Sequence, residues 1–313
     1  MYNNASAWIE LPRSAWAELA GYTNVQLNQS TLDKLRGLGD PTNEADVQEV
    51  YLPLTQLIGH HVRNMGNLYR DTNAYLGLEE GRTPFVVAIA GSVAVGKSTV
   101  ARLVAELLRR TLPRRKVQLI TTDGFLYPNS VLEERGILSR KGFPESFDAK
   151  RLMQFVLDVK SGLPLVTAPV YSHTQYDVVP GEFTVVESPD ILVIEGWNVL
   201  QPARRRDDGQ PALAVSDFID FSVYVDADQE EIRNWYISRF LKLRDSAFQH
   251  PESYFARYAR LSDAQAIMIA NRLWDEVNGP NLMDNIRPTA ERATAILRKG
   301  GDHTIESVRI RKI

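Results

Sequence analysis

Gly91, Gly96, Lys97 and Ser98 stand in the spacing G-x-x-x-x-G-K-S within a chain of 313 residues. That spacing suits a polyphosphate: glycines let backbone N–H groups curl around a phosphate, a following helix adds its positive end, and the lysine reaches the terminal phosphates. Gly91, Ser92, Val93, Ala94, Val95, Gly96, Lys97, Ser98 and Thr99 are therefore candidate nucleotide contacts, and the Ser98 hydroxyl is a candidate partner of Mg²⁺. Two acids extend the pattern. Glu195 closes the apolar run Asp190-Ile-Leu-Val-Ile-Glu195 and has the chemistry of a second Mg²⁺ partner. Asp123 follows the run Lys116 to Thr122 and is suited to accept the proton of an acceptor hydroxyl as a phosphoryl group arrives. Arg239, in Tyr236-Ile-Ser-Arg-Phe240, is the candidate charge stabiliser, a helix arginine able to close over the transferring group. Lys141, in a basic loop, is expected to be solvated rather than to face phosphate.

These residues need a scaffold that brings strand ends together. Val86 to Ala90 reads as a buried parallel strand, and Lys97 to Arg110 as a helix with Val100, Leu103, Val104 and Leu107 along one face. Further strands are expected at 116–122, 190–196 and 220–226, with Ala293–Arg298 and Thr304–Ile310 closing the chain. Helices are expected at 128–135, 149–160, 229–244 and 262–277. Open parallel sheets bind ligands at the carboxyl ends of their strands, where both acids would sit. The stretch Thr167–Val186 alternates around Pro180-Gly181 and reads as a hairpin or two short strands outside that sheet. Ahead of the phosphate loop, residues 1 to about 80 read as helical rather than β. Val47, Val50, Leu54, Leu57, Ile58, His61, Met65 and Leu68 recur at spacings of three and four, Pro53 falls in a first turn, and Gly77 and Gly81 end the helix.

Composition bounds the alternatives. Hydrophobic residues at 44% and charged residues at 24% describe a soluble globular chain, and no apolar run is long enough to span a bilayer. A net charge of −3 argues against nucleic acid as the main partner. The chain has no cysteine, which removes disulfides and thiolate metal sites and suits a reducing cytoplasm; the N-terminus has no secretory pattern. The charged stretch Arg204 to Pro211 reads as a surface loop.

Longer motifs carry a family resemblance. Gly91-Ser-Val-Ala-Val-Gly-Lys-Ser-Thr99, Thr121-Thr-Asp-Gly-Phe-Leu-Tyr-Pro128, Arg140-Lys-Gly-Phe-Pro-Glu-Ser146, Tyr171-Ser-His173 with Tyr176-Asp177, Ile194-Glu-Gly196 and Asn278-Gly-Pro-Asn-Leu282 together resemble the bacterial type I pantothenate kinases. The likeness runs from about Val50 to the C-terminus. Gly279 and Trp197 depart from the family pattern without removing a chemical group assigned here. The resemblance implies an α/β P-loop kinase fold of three layers, with a mostly parallel central sheet and helices on both faces. Residues 1–80 would be a helical extension packed on a kinase domain at 81–313.

The same resemblance implies ATP-dependent phosphorylation of the primary hydroxyl of pantothenate, the committed step towards coenzyme A. Asp123 would be the base, Lys97 and Arg239 the phosphoryl stabilisers, and Ser98 and Glu195 the Mg²⁺ partners. Tyr171, His173, Tyr236 and Asn278 would hold pantothenate, with Asn281 the alternative to Asn278. The family is also dimeric and inhibited by coenzyme A competing with ATP, which would put Arg102 on a coenzyme A phosphate. Phe240, Phe248, Phe255 and Tyr258, with Leu243, would surround the pantetheine end. Two other readings stay open at this level: a kinase of another hydroxylated metabolite such as uridine, disfavoured by Tyr171-Ser-His173 and Asn278-Gly-Pro-Asn-Leu282, and a nucleotide sensor without phosphoryl transfer.

Overall fold

The computed structural model describes residues 6–21, 25–78, 83–203 and 213–312. Gly81 and the Arg204 to Pro211 stretch lie outside them. In chain order the N-terminal part contains β1 (Trp8–Pro12), α1 (Arg13–Ala17), α2 (Gln29–Leu35), the single turn α3 (Glu44–Asp46) and the long α4 (Leu52–Leu76). Then follow β2 (Phe85–Gly91), α5 (Lys97–Thr111), β3 (Val117–Thr121), α6 (Asn129–Glu134) and α7 (Ala149–Lys160). Next come β4 (Leu165–Ser172), β5 (Asp177–Glu187), β6 (Ile191–Glu195), β7 (Phe221–Asp226) and α8 (Gln229–Arg244). The chain ends with α9 (Asp263–Leu273), α10 (Gly279–Asn281), β8 (Ala295–Lys299) and β9 (Ile305–Arg311).

Seven of these strands form one sheet in the order β1-β9-β8-β7-β2-β6-β3. The five members from β8 to the edge strand β3 run parallel, and β9 and β1 are added antiparallel to their neighbours. β2 is buried at all seven positions, as a strand covered on both faces must be. Burying each of Val100, Leu103, Val104 and Leu107 on α5 contributes ~1.5–3 kcal/mol. That buried face holds the helix, and with it the phosphate loop at its N-terminus, against β2, β3 and β6.

The N-terminal region departs from its expected all-helical character. Trp8–Pro12 pairs with β9 from Trp8↔Arg311 to Pro12↔Ser307. Its five residues are too few, and its proline too misleading, to register against the helical periodicity that follows. α4 itself is as expected, with Pro53 in its first turn and Gly77 closing it in a left-handed conformation (φ +64°). Further along, the turn of the β4–β5 hairpin falls at His173–Tyr176, not at Pro180-Gly181, which lies inside β5. A register shift between Pro169 and Tyr171 absorbs the proline-glycine pair's irregularity. The helix expected over 262–277 is α9 followed by a π-turn at Trp274–Asn278.

Candidate active site

Register places the two acids side by side, because Thr121 at the end of β3 pairs with Glu195 at the end of β6 and Asp123 follows two residues later. Asp123 lies in a tight 3₁₀ turn, its backbone N–H 3.4 Å from the Thr121 hydroxyl. The phosphate loop leaves β2 next to them, since β2 pairs with β6 on the side away from β3. Gly91 has φ +139°, and a side chain there would place Cβ 2.5 Å from the Val225 carbonyl oxygen. Gly96 has φ +97°, with Lys299 Nζ 2.8 Å and Asp40 Oδ2 3.2 Å from where its Cβ would be. Both glycines are therefore required by backbone shape and by close approach.

Lys97 Nζ donates to the Ser92 carbonyl at 2.8 Å and lies 3.8 Å from Glu195 Oε1. Burial pushes Lys97 down and Glu195 up from their ordinary values, and their mutual attraction opposes both shifts. Ser98 Oγ donates to Glu195 Oε2 at 3.2 Å, so two hard oxygen ligands meet at the loop. That donor set fits Mg²⁺, which takes one or two protein oxygens together with phosphate and water. Arg102 reaches the N-terminal region, its Nε donating to the Leu35 carbonyl at 2.6 Å, while Gly37 N–H donates to Thr99 Oγ1 at 3.0 Å. Residues 35–37 thus brace the phosphate-loop helix. Arg239 is exposed on α8 and feels the charges of Glu195 and Asp123.

Asp123 is the point where this half meets the other. Its charge acts on Lys97 and Arg239 on one side and on Lys141, Tyr171 and Tyr176 on the other. The Tyr171 ring lies edge-on to His173 at 5.2 Å and to Tyr176 at 6.4 Å. Burial raises the phenols of Tyr171 and Tyr176, so both stay neutral donors. His173 is exposed at the hairpin turn. Tyr236 interacts electrostatically with Tyr176, is pushed up to about 12 by burial, and hydrogen-bonds the Asn278 side chain. The choice between the two asparagines is thereby narrowed. Asn281 is buried, its Nδ2 donating to the Gly142 carbonyl at 2.8 Å and its Oδ1 accepting from Asn285 at 3.0 Å.

Lys141 overturns the expectation of a solvated loop lysine. It is only 6% exposed, and burial pushes its ammonium down to about 8. Nothing local in Arg140-Lys-Gly-Phe signals this, since burial comes from the hairpin turn and α6 folding over the loop. The aromatic group Phe240, Phe248, Phe255 and Tyr258 forms a small second core against α9, with neighbouring ring centroids 5.1–6.1 Å apart in the pairs Phe248–Phe255 and Phe255–Tyr258. Phe255 also meets Tyr176 at 4.8 Å, which joins that core to the tyrosine cluster.

Residues 86–250 match the model of the phosphoribulokinase / uridine kinase family. Relatives named pantothenate kinase include one from Cutibacterium acnes, 60% identical over 98% of this chain and 94% of that protein. Another, from a Nocardioides species, is 54% identical over 99% of this chain and 94% of its own length. Among solved structures, D-glycerate 3-kinase from Cryptococcus neoformans superposes with a TM-score of 0.54 at 15% identity, covering 80% of this chain and 97% of that one, a likeness of fold. Among the described residues no helix is long and apolar enough to cross a membrane. With a mostly parallel sheet, a phosphate loop beside two neighbouring strand-end acids and relatives alike over nearly the whole length, the chain belongs to the pantothenate kinases of the phosphoribulokinase / uridine kinase family.

Proposed function

We propose that this chain transfers the γ-phosphoryl group of ATP to the primary hydroxyl of pantothenate. The observation that carries the reading is the position of Asp123, between the cations of the phosphate loop and a neutral tyrosine cluster, in a chain 60% identical to a named pantothenate kinase. Asp123 takes the hydroxyl proton while the oxygen forms its bond to the γ-phosphorus and the bond from that phosphorus to the bridging oxygen breaks, leaving ADP. Lys97 and Arg239 stabilise the charge spread over the transferring group. Ser98 and Glu195 would hold Mg²⁺, which supplies charge neutralisation at the β and γ phosphates. Tyr171, His173, Tyr236 and Asn278 supply donors and acceptors for pantothenate, and Lys141 adds a cation for its carboxylate or for the arriving phosphoryl group.

Four further features belong to this reading. Coenzyme A competes with ATP, supported by Arg102 beside the phosphate loop and by the aromatic core that reaches Tyr176. The protein is a homodimer, supported by the apolar groove that Leu57, His60, His61, Asn64, Met65 and Leu68 form on α4. Residues 1–80 act as an extension to a kinase domain at 81–313, bracing its phosphate loop, and the compartment is the cytoplasm. A coupled ADP-release assay with pantothenate, uridine and ribulose 5-phosphate offered separately tests the activity. Turnover with pantothenate is expected, and none with pantothenate would overturn it. Added coenzyme A should raise the apparent KM for ATP; a purely noncompetitive pattern would remove the shared site.

A further inference from the structure

Lys141 is a buried ammonium whose ion pair with Asp177 is long. Its Nζ donates to Asn129 Oδ1 at 2.6 Å and to the Tyr176 carbonyl, and sits 4.2 Å from the centroid of the Tyr176 ring. The nearest carboxylate oxygen, Asp177 Oδ1, is 4.0 Å away. Two neutral oxygens position the cation and the long pair with Asp177 compensates its charge only in part, a costly arrangement that an anion in the site would relieve.

Asn129 joins the parts. While its Oδ1 accepts from Lys141, its Nδ2 donates to the Tyr176 carbonyl at 3.0 Å, and its backbone N–H donates to Asp177 Oδ1 at 3.0 Å. Tyr176 has φ +54°, a left-handed conformation that a tyrosine holds only when its surroundings impose it. The same amide thus pins the strained hairpin turn and the ammonium, one side-chain atom to each. From the other side, Asn281 holds the Gly142 carbonyl and Ser146 Oγ accepts from Gly142 N–H at 2.9 Å, so the loop cannot swing the lysine away.

We infer that Asn129 is a positioning residue of the acceptor site, whose side-chain amide sets Lys141 and the Tyr176 turn so that both face the anionic acceptor beside Asp123. This rests on the pantothenate kinase reading, since the acceptor is what Lys141 would meet. Asn129 itself need touch no substrate.

The test is a double-mutant cycle on the full-length enzyme, with KM for pantothenate and for ATP measured separately. Asn129→Ala should raise KM for pantothenate about ten-fold, the scale of one charge-assisted hydrogen bond, and leave KM for ATP within about two-fold. In a Lys141→Ala background the same substitution should cost clearly less than in the wild type, because the part of its effect that runs through the lysine is already lost. Equal losses in both backgrounds, or a lowered Tm with KM for pantothenate unchanged, would overturn the assignment. Asn129→Asp preserves side-chain size and keeps the protein testable if the alanine variant does not fold. It sets a carboxylate against the ammonium, so KM for pantothenate should again rise, and an unchanged value sinks the proposal. A wild-type enzyme inactive on pantothenate would instead fail the underlying reading, a result visible before any variant is made.

Discussion

The proposed donor and acceptor halves of this site are built in opposite ways. On the donor side, Gly91 to Thr99 is one uninterrupted stretch whose conformation follows from its own glycines and from the helix it starts. The acceptor side is assembled from Asn129, the Lys141 loop, the Tyr171–Asp177 hairpin turn, Tyr236 on α8 and Asn278 beyond α9, none adjacent in the chain. A contiguous loop takes its course from local backbone geometry, with distant groups pressing on it at Gly91 and Gly96. A convergent site depends on every contact that holds its parts in register, and those contacts are few and polar. Residues 35–37 make the contrast sharper, because they brace the phosphate-loop helix while the Lys141 loop is held by Asn281 from further along the chain.

Asp123 stands at the junction, and breaking it should cost most. Asp123→Asn should lower kcat by about 10²–10⁴-fold while ATP still binds, as measured by steady-state rates and nucleotide titration; near-normal kcat would remove the base. Arg239→Ala, on the donor side, should lower kcat by about 10²–10³-fold with a smaller change in KM for ATP. The reverse pattern would make it a ground-state binder.

Acceptor-side changes should instead appear in KM for pantothenate. Lys141 is charged below about pH 8 and neutral above it. Asp177 and Asp123 favour its charge, and the tyrosines beside it stay neutral across that range. kcat/KM for pantothenate should therefore fall as pH rises through about 8, with KM for ATP following a different profile, and Lys141→Arg should move that limb to higher pH. The stability effect has the opposite sign: burying the ammonium costs stability below about pH 8, and the cost fades as pH rises towards an ordinary lysine value. A profile flat through pH 8–9 would detach Lys141 from the acceptor.

The smallest effects separate the two asparagines. Asn281→Ala leaves the Gly142 carbonyl and the Asn285 amide unpaired and should destabilise by about 1–3 kcal/mol in thermal unfolding. Asn278→Ala should raise KM for pantothenate with little change in Tm. An interchange of these two outcomes would reassign the acceptor contact.

The sequence by itself determined the parts whose structure is local. Periodicity set α5, α7 and α8, the glycine spacing set the phosphate loop, and the acid at each strand end announced the site's carboxyl edge. Asp123 and Glu195 were legible for that reason, since a strand end is a position readable from a run of apolar residues. Only the tertiary structure decided that β1 completes the sheet against β9, because strand pairing between residues some three hundred apart leaves no trace in either segment. It also decided that the hairpin turns at His173–Tyr176, that Asn281 bonds the Gly142 carbonyl, and that Lys141 is buried. Burial and hydrogen bonding are properties of what folds over a residue, and for the acceptor half those neighbours come from distant parts of the chain.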